Sequence, residues 1–215
     1  MITHDKIEQW QREIEIITND VTDIIESQYI LNYIKKIVTN NKNLNSSNIF
    51  WDHILASFGA FLVLGISRQV DNKKEVISLF RLLKDIENNV SIIKRDWFSK
   101  QYEQHNLPRS IGEQHFSENF GSKPELDIYI VKNDIQTLTE STSKIKKFRH
   151  TKIAHKNADK NLVVDLNFSE IENALSIIEK IVIKYQLLLN QSGFRELMPT
   201  ITYDWEKIFR KPWIE

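Results

Sequence analysis

Glycine and proline are scarce in this chain, with five Gly and four Pro in 215 residues, and long stretches contain neither. A sandwich or barrel needs frequent tight turns, and these two residues supply much of the backbone geometry of such turns. Long stretches with apolar residues at spacings of three and four are instead typical of helices that bury one face. We therefore predict an all-α protein. Because 41% of the residues are hydrophobic, the chain can bury a sizeable core.

Five helices account for most of the apolar pattern. They are predicted at residues 4–38 (unbroken or interrupted at 18–20), about 48–69, 76–86 (with continuation to about 104 left open), about 126–155, and from 168 to an end at Ser192-Gly193. We predict that they form an up-down helical bundle of four to five main helices over residues 1–192. The aromatic tail at 193–215 is expected to pack on the bundle or on a dimer partner.

Two segments carry further structural predictions. The second helix is apolar nearly all the way round, which predicts a central position in the core. Its longest apolar stretch, residues 54–66, is shorter than the ~20 residues needed to cross a bilayer, so no membrane contact is expected. Residues 106–124 contain two Pro, two Gly and few periodic apolar positions, and they are predicted to form a long loop.

The absence of Cys excludes disulfides, thiolate metal sites and cysteine nucleophiles, and it suits a reducing compartment. The first residues lack the apolar core and small-residue cleavage site of a secretory signal. We expect a cytoplasmic protein without a cofactor. His105 and His115 flank the predicted loop without a carboxylate cluster at metal-ligand spacing, so no metal site is predicted.

Positive charge is concentrated in residues 144–160, which contain six Lys and one Arg against one acid, Asp159, a local net charge of +6. Because the whole chain is neutral, the other 198 residues carry −6. The segment also holds two of the six histidines, His150 and His155. Such a concentration of charge in a neutral protein predicts an anion site, for which polyphosphate or nucleic acid is the natural ligand.

The spacing of Arg149 and His155 would place them about 120° apart around the axis of an uninterrupted α-helix. Lys152 lies between them at i+3 from each, so the three form a slanted basic row. Histidine can take and give a proton near neutral pH, and the arginine fork matches phosphate oxygens. The pattern suits RNA cleavage in which a base deprotonates the ribose 2′-hydroxyl, cations stabilise the charged phosphate, and an acid protonates the leaving 5′-oxygen.

One histidine cannot fill both proton-transfer roles at once. Either His150 contributes, or a second copy of His155 arrives from another subunit, which predicts a homodimer with its two-fold axis close to the fourth helix. The structural alternative is a solvated basic helix end with one half-buried histidine.

Three other basic side chains are candidates for RNA or phosphate contact, namely Lys147, Lys156 and Arg68. For Arg68, a structural clamp with Asp71 at the end of the second helix is the favoured alternative. His53 is interpreted as a core or boundary histidine.

The stretch from Arg149 to His155, RHTKIAH, fits the R-x(4–6)-H motif of the HEPN superfamily (higher eukaryotes and prokaryotes nucleotide-binding). The surrounding chain resembles the AbiU-type branch from phage abortive infection, over most of residues 10–190. The resemblance is carried by Trp51, Ile66-Ser67-Arg68, Asp71, residues 78–83, Arg149 and Lys152–His155. It implies a metal-independent endoribonuclease site shared across a homodimer, with His150 as the polar residue that often assists after the motif Arg.

The same resemblance bears on partners. HEPN toxins paired with a nucleotidyltransferase antitoxin commonly carry a Tyr two residues after the motif His, where this chain has Asn157. This departure argues against a nucleotidyltransferase antitoxin as the partner. The expected partners are RNA and an antitoxin or another protein of a defence system. Some HEPN domains bind RNA, a nucleotide or a protein without cleaving anything, and this is the alternative function. A third hypothesis is a purely structural helical interaction protein, which the aromatic tail would serve.

Overall fold

The computed structural model describes residues 2–41, 49–154 and 165–209. These residues contain seven α-helices and no strand, apart from an isolated antiparallel bridge between Lys94 and Glu125. The helices are α1 (Ile2–Asn40), α2 (Ile49–Gln69), α3 (Leu79–Asn88), α4 (Arg95–Gln104), α5 (Arg109–Phe120), α6 (Ile128–Phe148) and α7 (Phe168–Asn190). A π-helical turn, Arg149–Ala154, directly follows α6, and short 3-10 helices occupy Val90–Ile92 and Trp205–Phe209. The all-α prediction is confirmed.

The long helices α1, α2, α6 and α7 pack on one another, and α3 packs on α6 and α1. Helix α1 is unbroken because the Thr18 hydroxyl donates to the Ile14 carbonyl (2.7 Å) and accepts from the Gln186 side-chain amide (2.6 Å). This polar residue therefore ties α1 to α7 without interrupting the helix. The buried stripe of α1 follows the predicted spacing: Ile7, Trp10, Ile14, Ile17, Val21, Ile24, Leu31 and Ile34.

Helix α2 is buried only toward its C-terminal end, so the prediction that it lies at the centre of the core is wrong. Its buried residues all lie between Leu62 and Gln69, whereas Ile49 is 84% exposed and Phe50, Phe61 and Leu64 are exposed as well. By length and composition alone α2 could cross a membrane, and 22% of its most apolar window is buried. The expectation of no membrane contact stays a prediction.

Residues 106–124 are mostly helical rather than a long loop. Helix α5 folds back on α4, and the two are joined by an aromatic cluster of Phe98, Tyr102, Phe116 and Phe120. Gly112 makes this approach possible, since a Cβ there would lie 2.8 Å from the Ser99 Cα. Helix α5 has few buried apolar positions and packs mainly on α4, so its sequence shows only a weak helical period.

Helix α3 begins at Ser78 as N-cap and ends at Asn88, so it does not continue into α4. Helix α7 begins with the capping box of Asn167 and Glu170. It ends at Asn190, and its C-cap Gln191 adopts the left-handed conformation (φ 52°) directly before the predicted end at Ser192-Gly193. After α7 the tail packs on α1, where the Trp205 ring lies 4.9 Å from the Tyr33 ring.

Candidate functional site

The basic segment leaves α6 as a π-helical turn rather than as a continuing α-helix. The prediction of one α-helix to about His155 is therefore wrong for Arg149–Ala154, and His155 itself lies outside the described residues. In a π-helix the hydrogen bonds run from residue i to i+5, so the 100° rotation per residue behind the predicted 120° angle does not apply. Single π-turns within helices are rare and occur frequently at functional sites.

Two apolar or weakly polar side chains fix the turn to the bundle. The Thr151 hydroxyl, on a residue only 5% exposed, donates to the Lys147 carbonyl at 3.0 Å. Ile153 packs against the core, and the turn as a whole packs on α2. Because these residues face inward, Arg149 is left partly exposed, and His150 and Lys152 are exposed.

A cleft of about 480 Å³ lies beside the turn, and we call it the basic cleft. Its lining residues are Thr139, Thr142, Ser143, Lys146 and Lys147 of α6, Arg149 and His150 of the turn, and Val70, Asn72 and Phe80 from the end of α2 through the start of α3. None of these described lining residues is acidic. Three of them carry a full positive charge, so the cleft attracts anions.

Arg149 is partly exposed and lines this cleft. Its Nε atom is buried and has no hydrogen-bond partner in the described part of the chain, a state that the Nε atom of Arg95 shares. A phosphate bound in the cleft would lie beside the Arg149 guanidinium, with which it can form charge-assisted hydrogen bonds.

The structure brings only part of the predicted site together. Arg149, His150 and Lys147 line the basic cleft, whereas Lys152 is exposed and lies outside its lining. His155 and Lys156 lie outside the described residues, so their prediction rests on the sequence.

Arg68 is occupied by a different acid from the one predicted. Its guanidinium makes an ion pair with Asp20 of α1 through Nη2, and its Nε donates to the same carboxylate at 3.3 Å. Asp71 instead accepts a hydrogen bond from the Lys73 backbone (3.0 Å). The Arg68–Asp71 clamp is therefore wrong, because Arg68 joins α2 to α1 rather than closing its own helix end.

Lys144, at the start of the basic segment, is also paired. Its Nζ donates to Glu170 Oε1 at 2.6 Å, and Glu170 in turn accepts from the Asn167 backbone. The hydrogen bond from Lys144, followed by that from Asn167, holds the pKa of Glu170 below its usual value. The pair fastens α6 to the start of α7 and leaves the positive charge of the segment concentrated toward Arg149.

The other histidines do not form a second site. His53 is exposed, so its interpretation as a core or boundary residue is wrong. The Nδ1 atom of His115 lies 2.9 Å from the Tyr102 hydroxyl, and burial raises the pKa of Tyr102. No group of three or more His, Asp or Glu positioned to hold a metal ion occurs in residues 2–41, 49–154 and 165–209.

Seven of the ten residues that line the cleft were not predicted as site residues, and three of them bear most on its chemistry, namely Lys146, Asn72 and Phe80. Lys146 was part of the charge count but was not singled out, and it lines the cleft next to Lys147. Asn72 and Phe80 come from a different part of the chain, and only the packing of α3 on α6 brings them to Arg149. No spacing in the sequence could have revealed that proximity.

Comparison with protein families identifies the chain. The sequence profile of the AbiU2 family of HEPN proteins matches residues 7–208, nearly the whole chain, and the all-helical fold agrees with it. The protein therefore belongs to the HEPN AbiU2 family, and it is a HEPN module of a defence-associated type. No curated protein and no solved structure matches the chain.

Proposed function

We propose that this protein is a metal-independent endoribonuclease acting in the cytoplasm as part of a phage-defence system. The observation that carries the proposal is the position of Arg149, which lines one cleft together with His150, Lys146 and Lys147 and without a described acidic residue. Membership of the AbiU2 family supports the same function. An antitoxin or other defence protein that controls the activity is part of the proposal.

Each basic group has a role in the proposed reaction. One histidine, His155 or His150, removes the proton of the ribose 2′-hydroxyl, whose oxygen attacks the neighbouring phosphorus. Arg149 and Lys147 stabilise the charge on the pentacoordinate phosphate. The second histidine gives a proton to the leaving 5′-oxygen, so the products are a 2′,3′-cyclic phosphate and a 5′-hydroxyl. Lys152 and Lys156 would bind the flanking RNA backbone, while Arg68 already serves as a partner of Asp20.

A homodimer is the second part of the proposal. A two-fold axis close to α6 would bring two copies of Arg149 and His155 to one site and supply the acid and the base from one sequence. The exposed apolar residues of α2 support this arrangement, since α2 packs directly on the π-helical turn. Exposed apolar side chains such as Phe61 and Leu64 are suited to a subunit contact.

The test is RNA cleavage in excess EDTA. We expect cleavage to continue and to leave a cyclic phosphate or 3′-phosphate, while RNA with a 2′-deoxy sugar at the cut site stays intact. Loss of activity in EDTA would contradict the mechanism. RNA binding with a steep salt dependence but without products would favour the alternative, a non-catalytic HEPN module.

A further inference from the structure

A second cleft adjoins the basic cleft. It has a volume of about 550 Å³ and lies between α1 and the chain that runs from Asn72 into α3. Asn72 and Phe80 line both clefts, so the two clefts are neighbours at these side chains. We call the two clefts together the groove, and each half has the size of a small-molecule site.

The two halves differ in charge. The second cleft is lined by Lys6, Lys74, Arg81 and Lys84, balanced by Glu13, Glu75 and Asp85, and we call it the mixed-charge cleft. Two of its four cations form ion pairs: Lys6 Nζ lies 2.5 Å from Asp85 Oδ2, and Lys84 Nζ lies 2.7 Å from Glu87 Oε2. A phosphate is therefore favoured in the basic cleft, whereas an uncharged polar group such as a nucleobase suits the mixed-charge cleft.

Phe80 stands at the junction of the two clefts. It is partly buried and packs on the hydrophobic core near the start of α3, while its remaining surface faces the groove. Unpaired bases of single-stranded RNA stack on aromatic rings that pack on the protein on one side and are accessible on the other.

Asn72 sits in a connection that is held rigid by side chains. The Arg81 guanidinium donates to the carbonyls of Lys73 (2.9 Å) and Val76 (2.8 Å). The Ser78 hydroxyl donates to the Asp71 carbonyl at 2.6 Å. The backbone around Asn72 is thus fixed before a ligand arrives, and its amide can both donate to and accept from the edge of a base.

We infer that single-stranded RNA binds across both clefts, with Phe80 stacking the base next to the phosphate at Arg149 and Asn72 hydrogen-bonding to that base. This inference rests on the proposed function, since it identifies the substrate class and a base subsite for the same cleft. A base in a duplex cannot reach Phe80 without leaving its stack, so the groove selects unpaired RNA.

The experiment measures binding of a 2′-O-methyl single-stranded oligonucleotide, which cannot be cleaved, to wild-type protein and to F80L. Loss of one stacked base weakens binding about tenfold in F80L, whereas F80W keeps the wild-type affinity. Y129L is the matched control, because Tyr129 is a 71% exposed aromatic residue of α6 that does not line either cleft. In the same assay, N72A is expected to bind oligo(A), oligo(C) and oligo(U) with more similar affinities than wild type does, because Asn72 no longer contacts the base edge. Thermal unfolding establishes that each variant is folded.

The outcomes separate this inference from the proposed function. If wild-type protein cleaves RNA and F80L binds as tightly as wild type, the base subsite is wrong and the ribonuclease proposal stands. Equal affinity for duplex and single-stranded RNA likewise overturns the subsite. If F80L binds more weakly while wild-type protein never cleaves RNA, the subsite stands and the protein is a binding module.

Discussion

The Thr151 hydroxyl donates a hydrogen bond to the Lys147 carbonyl at 3.0 Å, joining the π-helical turn to the last turn of α6. The same hydroxyl lies 3.4 Å from the Phe148 carbonyl. The Thr151 hydroxyl thus lies at the point where the backbone hydrogen bonds change from the α-helical to the π-helical pattern. Arg149 and His150 lie in the sequence between Lys147 and Thr151, so this hydrogen bond spans the residues that line the basic cleft.

Replacing Thr151 by Val removes the hydroxyl and keeps the shape. We expect T151V to lose about 1 kcal/mol of unfolding free energy, the usual contribution of one hydrogen bond, measured by urea denaturation. RNA cleavage should fall by a larger factor than this stability loss implies, because the turn carrying Arg149 relaxes. T151S keeps the hydroxyl and should retain most activity. Equal activity of T151V and wild type would show that this bond does not position the site.

A buried polar cluster joins α6 to α7. Asp134 accepts hydrogen bonds from Lys184 Nζ (2.7 Å) and the Tyr185 hydroxyl (3.1 Å), and burial followed by the Asp134 charge raises the pKa of Tyr185 well above its usual value. D134A leaves both donors without their acceptor and should cost about 2–4 kcal/mol of unfolding free energy. Y185F removes one hydroxyl and should cost about 1 kcal/mol. A smaller loss for D134A than for Y185F in urea titrations would contradict this ranking.

Replacing each of the two glycines of α2 by alanine should change the unfolding free energy in opposite directions. Around Gly59 no heavy atom lies within 4 Å of an added Cβ, so G59A should raise the unfolding free energy by about 0.5–1 kcal/mol through helix propensity. At Gly65 the Cβ would meet Ile24 Cγ1 at 2.7 Å, and overpacking of about 1–3 kcal/mol should outweigh that gain. Thermal unfolding of both variants measures the difference. Stabilisation by G65A equal to that by G59A would contradict the close contact of α1 and α2.

Glu170 should make the start of α7 sensitive to acid. Its folded-state pKa is lowered, so its stabilising contribution is complete above the ordinary pKa of a Glu side chain and is lost as the pH falls through the lower, folded value. We expect E170Q to unfold at a lower temperature than wild type at about pH 7 and at a similar temperature near pH 2. A constant difference between the two proteins over this range would show that the charge of Glu170 is not the cause.

The helical class and most helix positions could be predicted because the spacing of apolar residues within one helix can be read from a short stretch of sequence. The stripe of α1 from Ile7 to Ile34 is an example, and the capping residue Asn167 with Glu170 marks the start of α7 equally well. Helix α5 was missed because it buries only Gly112, Phe116 and Phe120, too few positions to show a period.

The candidate site was predictable only where its residues lie close together in the sequence. Arg149, His150 and Lys147 lie within one basic segment, and its charge together with the motif spacing of Arg149 and His155 indicated them. The partner of Arg68 lies 48 positions away at Asp20, and Phe80 reaches the cleft through helix packing, so neither relationship has a sequence signal. The π-helical register of Arg149–Ala154 was not predicted either, because the spacing of apolar residues does not distinguish a single π-turn from the α-helix that it continues.

The most direct test of the central claim is the rate of single-turnover RNA cleavage in excess EDTA by wild-type protein, R149A and K132A. Lys132 is the matched control, since it is an exposed cation of the same helix, α6, outside the basic cleft. If Arg149 stabilises the charged phosphate, R149A should cleave at least about 100-fold more slowly while K132A cleaves at the wild-type rate. Folded R149A that cleaves RNA as fast as K132A would contradict the account.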